Sequence, residues 1–181
     1  MKKFAILLAV ALLSGSVHSF AQNLKFGHVN MGELVALMPE RDSAVVKLEK
    51  YAKDLEETMQ TMQTEFQKKY QEYTEKSKDW LPAVLQAKEK ELGEMQQRLQ
   101  QFDQNARQEM SNMQQQLLAP VLQKANEAVE KIGKEQGFTY IFDISAGSLL
   151  YINENTSTDI MPIAKKALGI PADKTLPQNA N

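Results

Sequence analysis

The 181-residue chain has no cysteine. That excludes a disulfide framework, a thiolate nucleophile, a cysteine-ligated zinc site, an iron–sulfur cluster and a lipoprotein anchor. Only two histidines are present, so a metal site would have to be mostly carboxylate. No basic surplus exists either: 21 Lys and Arg stand against 23 Asp and Glu, a formal net charge of −2. A general nucleic-acid binder usually shows the opposite balance. Aromatic residues are few, at 7%. What the chain has instead is glutamine, 18 residues of it, and long charged stretches. This profile fits long solvated helices better than a compact enzyme core. At this length the chain is one domain, or one small domain with an appendage.

The longest apolar run, Phe4–Leu13, is ten residues and follows Met1-Lys2-Lys3. It is too short for a transmembrane helix, which needs roughly 20 residues. Ser14-Gly15-Ser16 follows, and Ser19-Phe20-Ala21 offers small residues at the −3 and −1 positions. Residues 1–21 therefore read as a secretory signal peptide cut after Ala21. The mature chain, 22–181, would carry 19 basic and 23 acidic side chains and work outside the cytoplasm, in the periplasm of a diderm bacterium.

Leu24–Asn30 reads as a short strand. Asn30, three residues before Glu33, is a variant capping box that opens a helix over Met31–Leu37, which Pro39 should stop. Between Glu40 and Lys78 there is neither glycine nor proline. Leu48, Ala52, Leu55, Met59, Met62, Phe66 and Tyr73 recur in alternating steps of four and three, with Lys69 in the one missing seat, which is a heptad seam. Glu49/Lys53, Glu65/Lys69 and Glu72/Lys76 are spaced to support that helix. Asp79-Trp80-Leu81-Pro82 breaks it. A second helix is expected over about Ala83–Lys134, its seam running through Leu85, Lys88, Leu92, Met95, Leu99, Phe102, Ala106, Met110, Met113, Leu117 and Val121. Pro120 should kink or loosen it, and Gly137 fits the position that ends it. Thr139–Ile144, with Tyr140, Phe142 and Ile144 on one face, and Ser148–Ile152 are expected to pair as a β-hairpin turned at Ala146-Gly147. Thr158 should cap a last helix over Asp159–Leu168, ended by Gly169. The tail 171–181 is polar and expected to fray.

The expected fold is α+β. A long antiparallel helical hairpin (a coiled-coil arm, 40–135, with its tip near 79–82) is inserted into a small β-rich head made of 22–39 and 136–170. A head of 53 residues has a marginal core and open sheet edges, so self-association is expected. The residues expected at that contact are Phe26, Val29, Ile141, Phe142, Ile144, Leu149 and Tyr151. Tyr51, Tyr70, Trp80, Leu81, Val84 and Leu118 lie wholly or partly off the single arm seam. That seam is rich in methionine, a side chain suited to adaptable surfaces.

The order of parts resembles the Skp/OmpH family of periplasmic chaperones. The residues that carry the likeness are Lys25-Phe26-Gly27-His28-Val29-Asn30, the charged hairpin, Gly137-Phe138-Thr139-Tyr140-Ile141-Phe142-Asp143, Tyr151-Ile152 and Asp159-Ile160. The resemblance covers the chain to about Ile170. It implies a jellyfish-shaped homotrimer in which strands of three subunits form a barrel-like body and three arms enclose a cavity. It also implies an ATP-independent holdase that keeps unfolded outer-membrane β-barrel proteins from aggregating. Absence of a Gly-rich phosphate loop agrees with ATP independence. One departure is charge. The best-known members have basic arms, whereas 40–135 here carries 15 basic and 18 acidic side chains. Membrane or lipopolysaccharide contact is accordingly not carried over.

No catalytic constellation, cofactor site or metal site is read from the sequence, and an enzyme is not expected. His28, the one histidine beyond the signal segment, reads as structural; Ser145 lacks a matching His–acid pair. Pairs such as Glu56/Glu57 and Glu89/Glu91 read as solvated helix faces. Asp143 is expected to bond within the head. Trp80-Leu81-Pro82 reads first as a staple for the hairpin end and second as an exposed contact point. Tyr51, Tyr70, Trp80, Leu81 and Met113 are the candidate client-contact residues. The competing reading is an extracytoplasmic coiled-coil spacer or adaptor with one folded envelope partner. A hinge near Pro120 and Gly133 would let a cavity follow the size of its contents.

Overall fold

The computed structural model describes residues 24–147 and 149–176. The expected signal peptide 1–21, Ser148 of the expected hairpin and the last five tail residues lie outside the described residues.

The chain opens with strand β1 (Phe26–Val29) and helix α1 (Met31–Ala36). The Glu33 amide donates to Asn30 Oδ1 at 2.9 Å, so the expected cap is formed. Pro39 does not merely stop α1. It is the first residue of α2 (Pro39–Lys76), a place where its fixed φ and missing N–H cost nothing. A short 3₁₀ turn, Ser77–Asp79, leads to α3 (Pro82–Gln136), again begun by a proline. At 1.5 Å per residue these helices run to about 57 and 80 Å. Helix α3 passes through Pro120 without interruption and ends at Gly137, whose φ of 67° is the left-handed conformation that a Cβ would oppose.

After α3 come β2 (Tyr140–Asp143), β3 (Ser157–Asp159) and α4 (Met161–Ala167). The sheet order is β2-β1-β3, with both pairings parallel. Phe26 faces Tyr140 on one side and Ser157 on the other. The expected antiparallel hairpin between 139–144 and 148–152 is therefore not present. Asp143 Oδ1 accepts the amides of Ser145 (2.8 Å) and Met31 (3.1 Å), which turns the chain off the end of β2 towards α1 rather than back along the strand. Residues 149–152 hold no strand, and the second partner of β1 is Ser157–Asp159. The last helix is also shorter than expected. Thr158 and Asp159 are strand residues, and the Met161 amide donates to Asp159 Oδ1 at 2.8 Å.

Strand alternation splits the sheet into two faces. Gly27, Val29 and Ile141 look towards α3. Val29, Leu34, Leu37, Met38, Ile160, Ala164, Leu168 and Ile170 form a core with Val121, Ala125 and Ile132 of α3. The last third of α3 thus belongs to the head's core while the first two thirds form the arm. Gly27 is needed for this packing: a Cβ there would lie 3.0 Å from the Phe138 ring and 3.3 Å from Ile141 Cγ1. Gly133 also faces Ile141, but a Cβ there would lie 3.4 Å from Ile141 Cδ1, an ordinary contact.

Candidate functional site

Two surfaces stand out: the arm and the uncovered sheet face. In the arm, α2 and α3 lie antiparallel with their seam residues half-buried along most of its length. Met95 is the buried member of the free part of the seam. Small side chains at Ala52, Ala106 and Ser111 leave a shallow open groove beside Leu55 and Met110. Polar ties cross the seam at intervals. Tyr51 donates to Glu109 Oε2 at 2.6 Å and Tyr73 to Glu89 Oε1 at 2.9 Å. Both phenols are held above their usual ionisation range, first by those hydrogen bonds. Lys69 reaches across to Glu91, whose carboxyl the lysine holds below the usual carboxylate range. At the arm's base Lys124 does the same to Glu40. Lys174 of the tail bonds Asp42 Oδ2 at 2.9 Å.

These ties alter the expected ion pairs. Glu72/Lys76 forms, at 3.6 Å, but Lys53 pairs with Glu57 and Lys69 leaves its own helix. A lysine in a heptad seat is explained: its stem covers the seam and its ammonium meets an acid on the other helix.

At the tip Trp80 is half-buried. Its ring centroid is 6.0 Å from that of Tyr73, and the Lys88 ammonium lies 5.9 Å above it. That geometry is a staple closing the hairpin. Leu81, next to it, is 73% exposed, and Val84 is exposed as well. Of the other candidate contact residues, Tyr70 is exposed with its ring against Phe66, and Met113 is half-buried on the seam. Tyr51, expected wholly or partly off the seam, is half-buried, and its hydroxyl bonds the opposite helix.

The outer face of the sheet carries Phe26, Tyr140 and Phe142, their rings within 6.1–6.4 Å of one another. His28 sits among them on the central strand, its Nδ1 2.9 Å from Ser157 Oγ. Ile144 and Leu149 are exposed beside this face, Tyr151 is 80% exposed, and Leu150 is fully exposed. A cavity of about 280 Å³ opens between Phe26, Phe142, Leu149, Tyr151 and Ile152. Two of the expected contact residues drop out. Val29 is 1% exposed within its own core, and Ile141 packs inward on the head, since strand alternation turns both away from the outer face. Leu150 and Tyr140 join the face beyond the expected contacts; the strand pattern that marks Phe142 marks Tyr140 equally. Among the described residues no group of three or more acidic or histidine side chains is placed to hold a metal ion. No described helix is long and apolar enough to cross a membrane.

A family model described as outer membrane protein (OmpH-like) matches residues 25–168. The chain belongs to the OmpH-like family. The match spans β1, the whole arm, the sheet and α4, so both surfaces lie within the OmpH-like region. No match was found among the curated proteins.

Proposed function

We propose that the chain is an ATP-independent periplasmic holdase that binds unfolded outer-membrane β-barrel proteins and prevents their aggregation, and that it acts as a homotrimer. Membership of the OmpH-like family over arm and head together is the observation that carries the reading. Residues 1–21 would direct export, α2 with the first two thirds of α3 would form the arm (shorter than the expected 40–135, because Val121, Ala125 and Ile132 pack in the head), and the head would assemble. Among the described residues the outer edges of β2 and β3 are unpaired and the aromatic face is uncovered; with the exposed Leu149–Tyr151 this supports assembly, because a sheet with open edges and an apolar face seeks cover.

Binding would be passive. An unfolded β-barrel chain exposes apolar segments that aggregate. Arms lined by half-buried methionine and exposed glutamine offer many weak contacts rather than one strong one. Tyr70, Leu81 and Met113 are the proposed contact points, with Tyr51 and Trp80 working through the shape of the arm. A client held this way leaves when a folding partner competes for it.

The test is the solution mass of residues 22–181 by light scattering, alone and after mixing with a urea-diluted outer-membrane β-barrel protein. A trimer that keeps the client soluble in a defined complex supports the reading. A stable oligomer that leaves the client to aggregate overturns it in favour of a spacer or adaptor.

A further inference from the structure

Residues 171–176, polar and expected to fray, are folded back on the head. Gly169, with a φ of 70°, ends α4, and Ile170 is buried in the head core. The Ile170 amide donates to the Lys165 carbonyl at 2.8 Å. Pro171 opens a turn that the Lys174 amide closes on the Pro171 carbonyl at 3.1 Å. The half-buried Lys165 reaches this turn from α4, and its ammonium donates to the carbonyls of Lys174 (2.7 Å) and Ala172 (3.4 Å). The Lys174 side chain meets the first turn of α2, where its ammonium donates to Asp42 Oδ2 at 2.9 Å, across 132 positions of the sequence. We propose that residues 170–174 are a strap that ties the root of α2 to α4 and holds the first helix of the arm against the head. The strap does not depend on the chain holding a client.

The two arm helices are rooted differently. Helix α3 is anchored by Val121, Ala125 and Ile132 in the head core. Helix α2 buries Ala44 alone. Met38 before it is fully buried, but its side chain makes no capping bond to α2. What α2 has in its first turn is two acids, Glu40 and Asp42, at the end of the helix whose dipole favours them. Each meets a lysine from another element: Lys124 of α3 at Glu40, and Lys174 of the strap at Asp42. Arg41 lies 3.8 Å from the other Asp42 oxygen, but it belongs to α2 and ties that helix to nothing else. The first pair joins α2 to α3, and the second joins α2 to the end of the chain. Lys174 is the one half-buried residue of 171–176, its side chain 34% exposed. An isolated exposed ion pair contributes little, because two long side chains must be ordered to make it. Here the backbone of the lysine is already held by Ile170, the turn and Lys165, so less ordering remains. These residues follow the region 25–168 that the family model matches, so the strap is a feature of this chain beyond that match.

The experiment is amide exchange by mass spectrometry on residues 22–181, comparing the wild type with Lys174→Gln, Asp42→Asn and the double variant. Lys131→Gln, whose partner Glu135 is on its own helix, is the control and should match the wild type over 42–48. In Lys174→Gln the amides of 42–48 should exchange about two- to five-fold faster, while those of α3 around 121–132 keep their rates. Asp42→Asn should show at least that rise, because the helix also loses an acid at its start. Adding Lys174→Gln to it should change nothing further, since both remove the same tie. Wild-type rates over 42–48 in Lys174→Gln overturn the strap. So does a further rise when Lys174→Gln is added to Asp42→Asn, which means that the two residues act separately. A rise shared by α3 and β1 marks a general loss of stability and overturns it as well.

Discussion

At the scale of single residues, the polar anchor of the head is Asp143. One carboxylate oxygen takes the amides of Met31 and Ser145, tying the end of β2 to the start of α1. Burial opposes its ionisation, but the hydrogen bonds from Ser145 and Met31 outweigh that and hold the carboxyl below its usual range. Asp143→Ala should destabilise the head by about 1–2 kcal/mol, read from the urea midpoint, as for a lost helix cap. The pH sign follows from the depressed pKa. The carboxylate's contribution is complete above the unfolded-state pKa of about 3.9 and is lost as pH falls through the folded value. Asp143→Asn should therefore flatten the acid limb of the stability profile. Gly27 is the second anchor. A Cβ 3.0 Å from the Phe138 ring forces that ring to move, so Gly27→Ala should cost about 1–3 kcal/mol by thermal melting.

At the scale of elements, the arm is held by one seam and a few polar ties, and the head by a closed core. The two should respond separately. Met95 is the buried seam residue in the free arm, and Met95→Ala should cost about 2–3 kcal/mol, at the low end for a residue whose surroundings can collapse. Amide exchange should then rise along 60–100 while the amides of β1 and α4 stay protected. Pro120 tests the hinge expectation. In an unbroken helix it leaves the Gln116 carbonyl without its usual partner. Pro120→Ala should slow amide exchange around 117–124 and narrow the range of client sizes held; an unchanged range counts against a hinge there.

At the scale of the whole molecule, exposed apolar side chains are scattered singly along the arm but gather on one side of the head among the described residues. Leu150 and Tyr151 project from a segment that makes no strand of its own. Leu150→Asp with Tyr151→Asp should shift residues 22–181 towards monomer by light scattering and leave helix content unchanged. A double variant that keeps the mass of a trimer would move the contact to the sheet edges.

Much of this is legible in the chain, and the reason is locality. Both long helices follow from the four-three spacing of Leu48 to Tyr73 and of Leu85 to Val121. The start of the second follows from Pro82, its end from Gly137 and the cap of α1 from Asn30, whereas Pro39, read from the chain only as a stop for α1, also begins α2. Each of these signals acts within a few residues of the structure it sets. The uncovered face is half legible: alternation marks Phe142, while nothing local marks Val29 as core, because its burial depends on α3 and α4 packing over it.

What the sequence by itself determined is the two-helix arm, its break at Asp79–Pro82 and the existence of a small head joining its two ends. Periodicity and capping decide these, and they need no distant partner. The tertiary structure alone decided which strands pair. Thr139–Ile144 looks from its pattern like half of a hairpin, yet Tyr140 lies beside Phe26, more than a hundred residues away, and Ser157 lies on the other side. A parallel pairing leaves no turn signal in the chain, because its connection here is the whole arm. It forms because the arm returns α3 to its starting point, where Gly27 leaves room for Phe138 and Ile141 to close over the core.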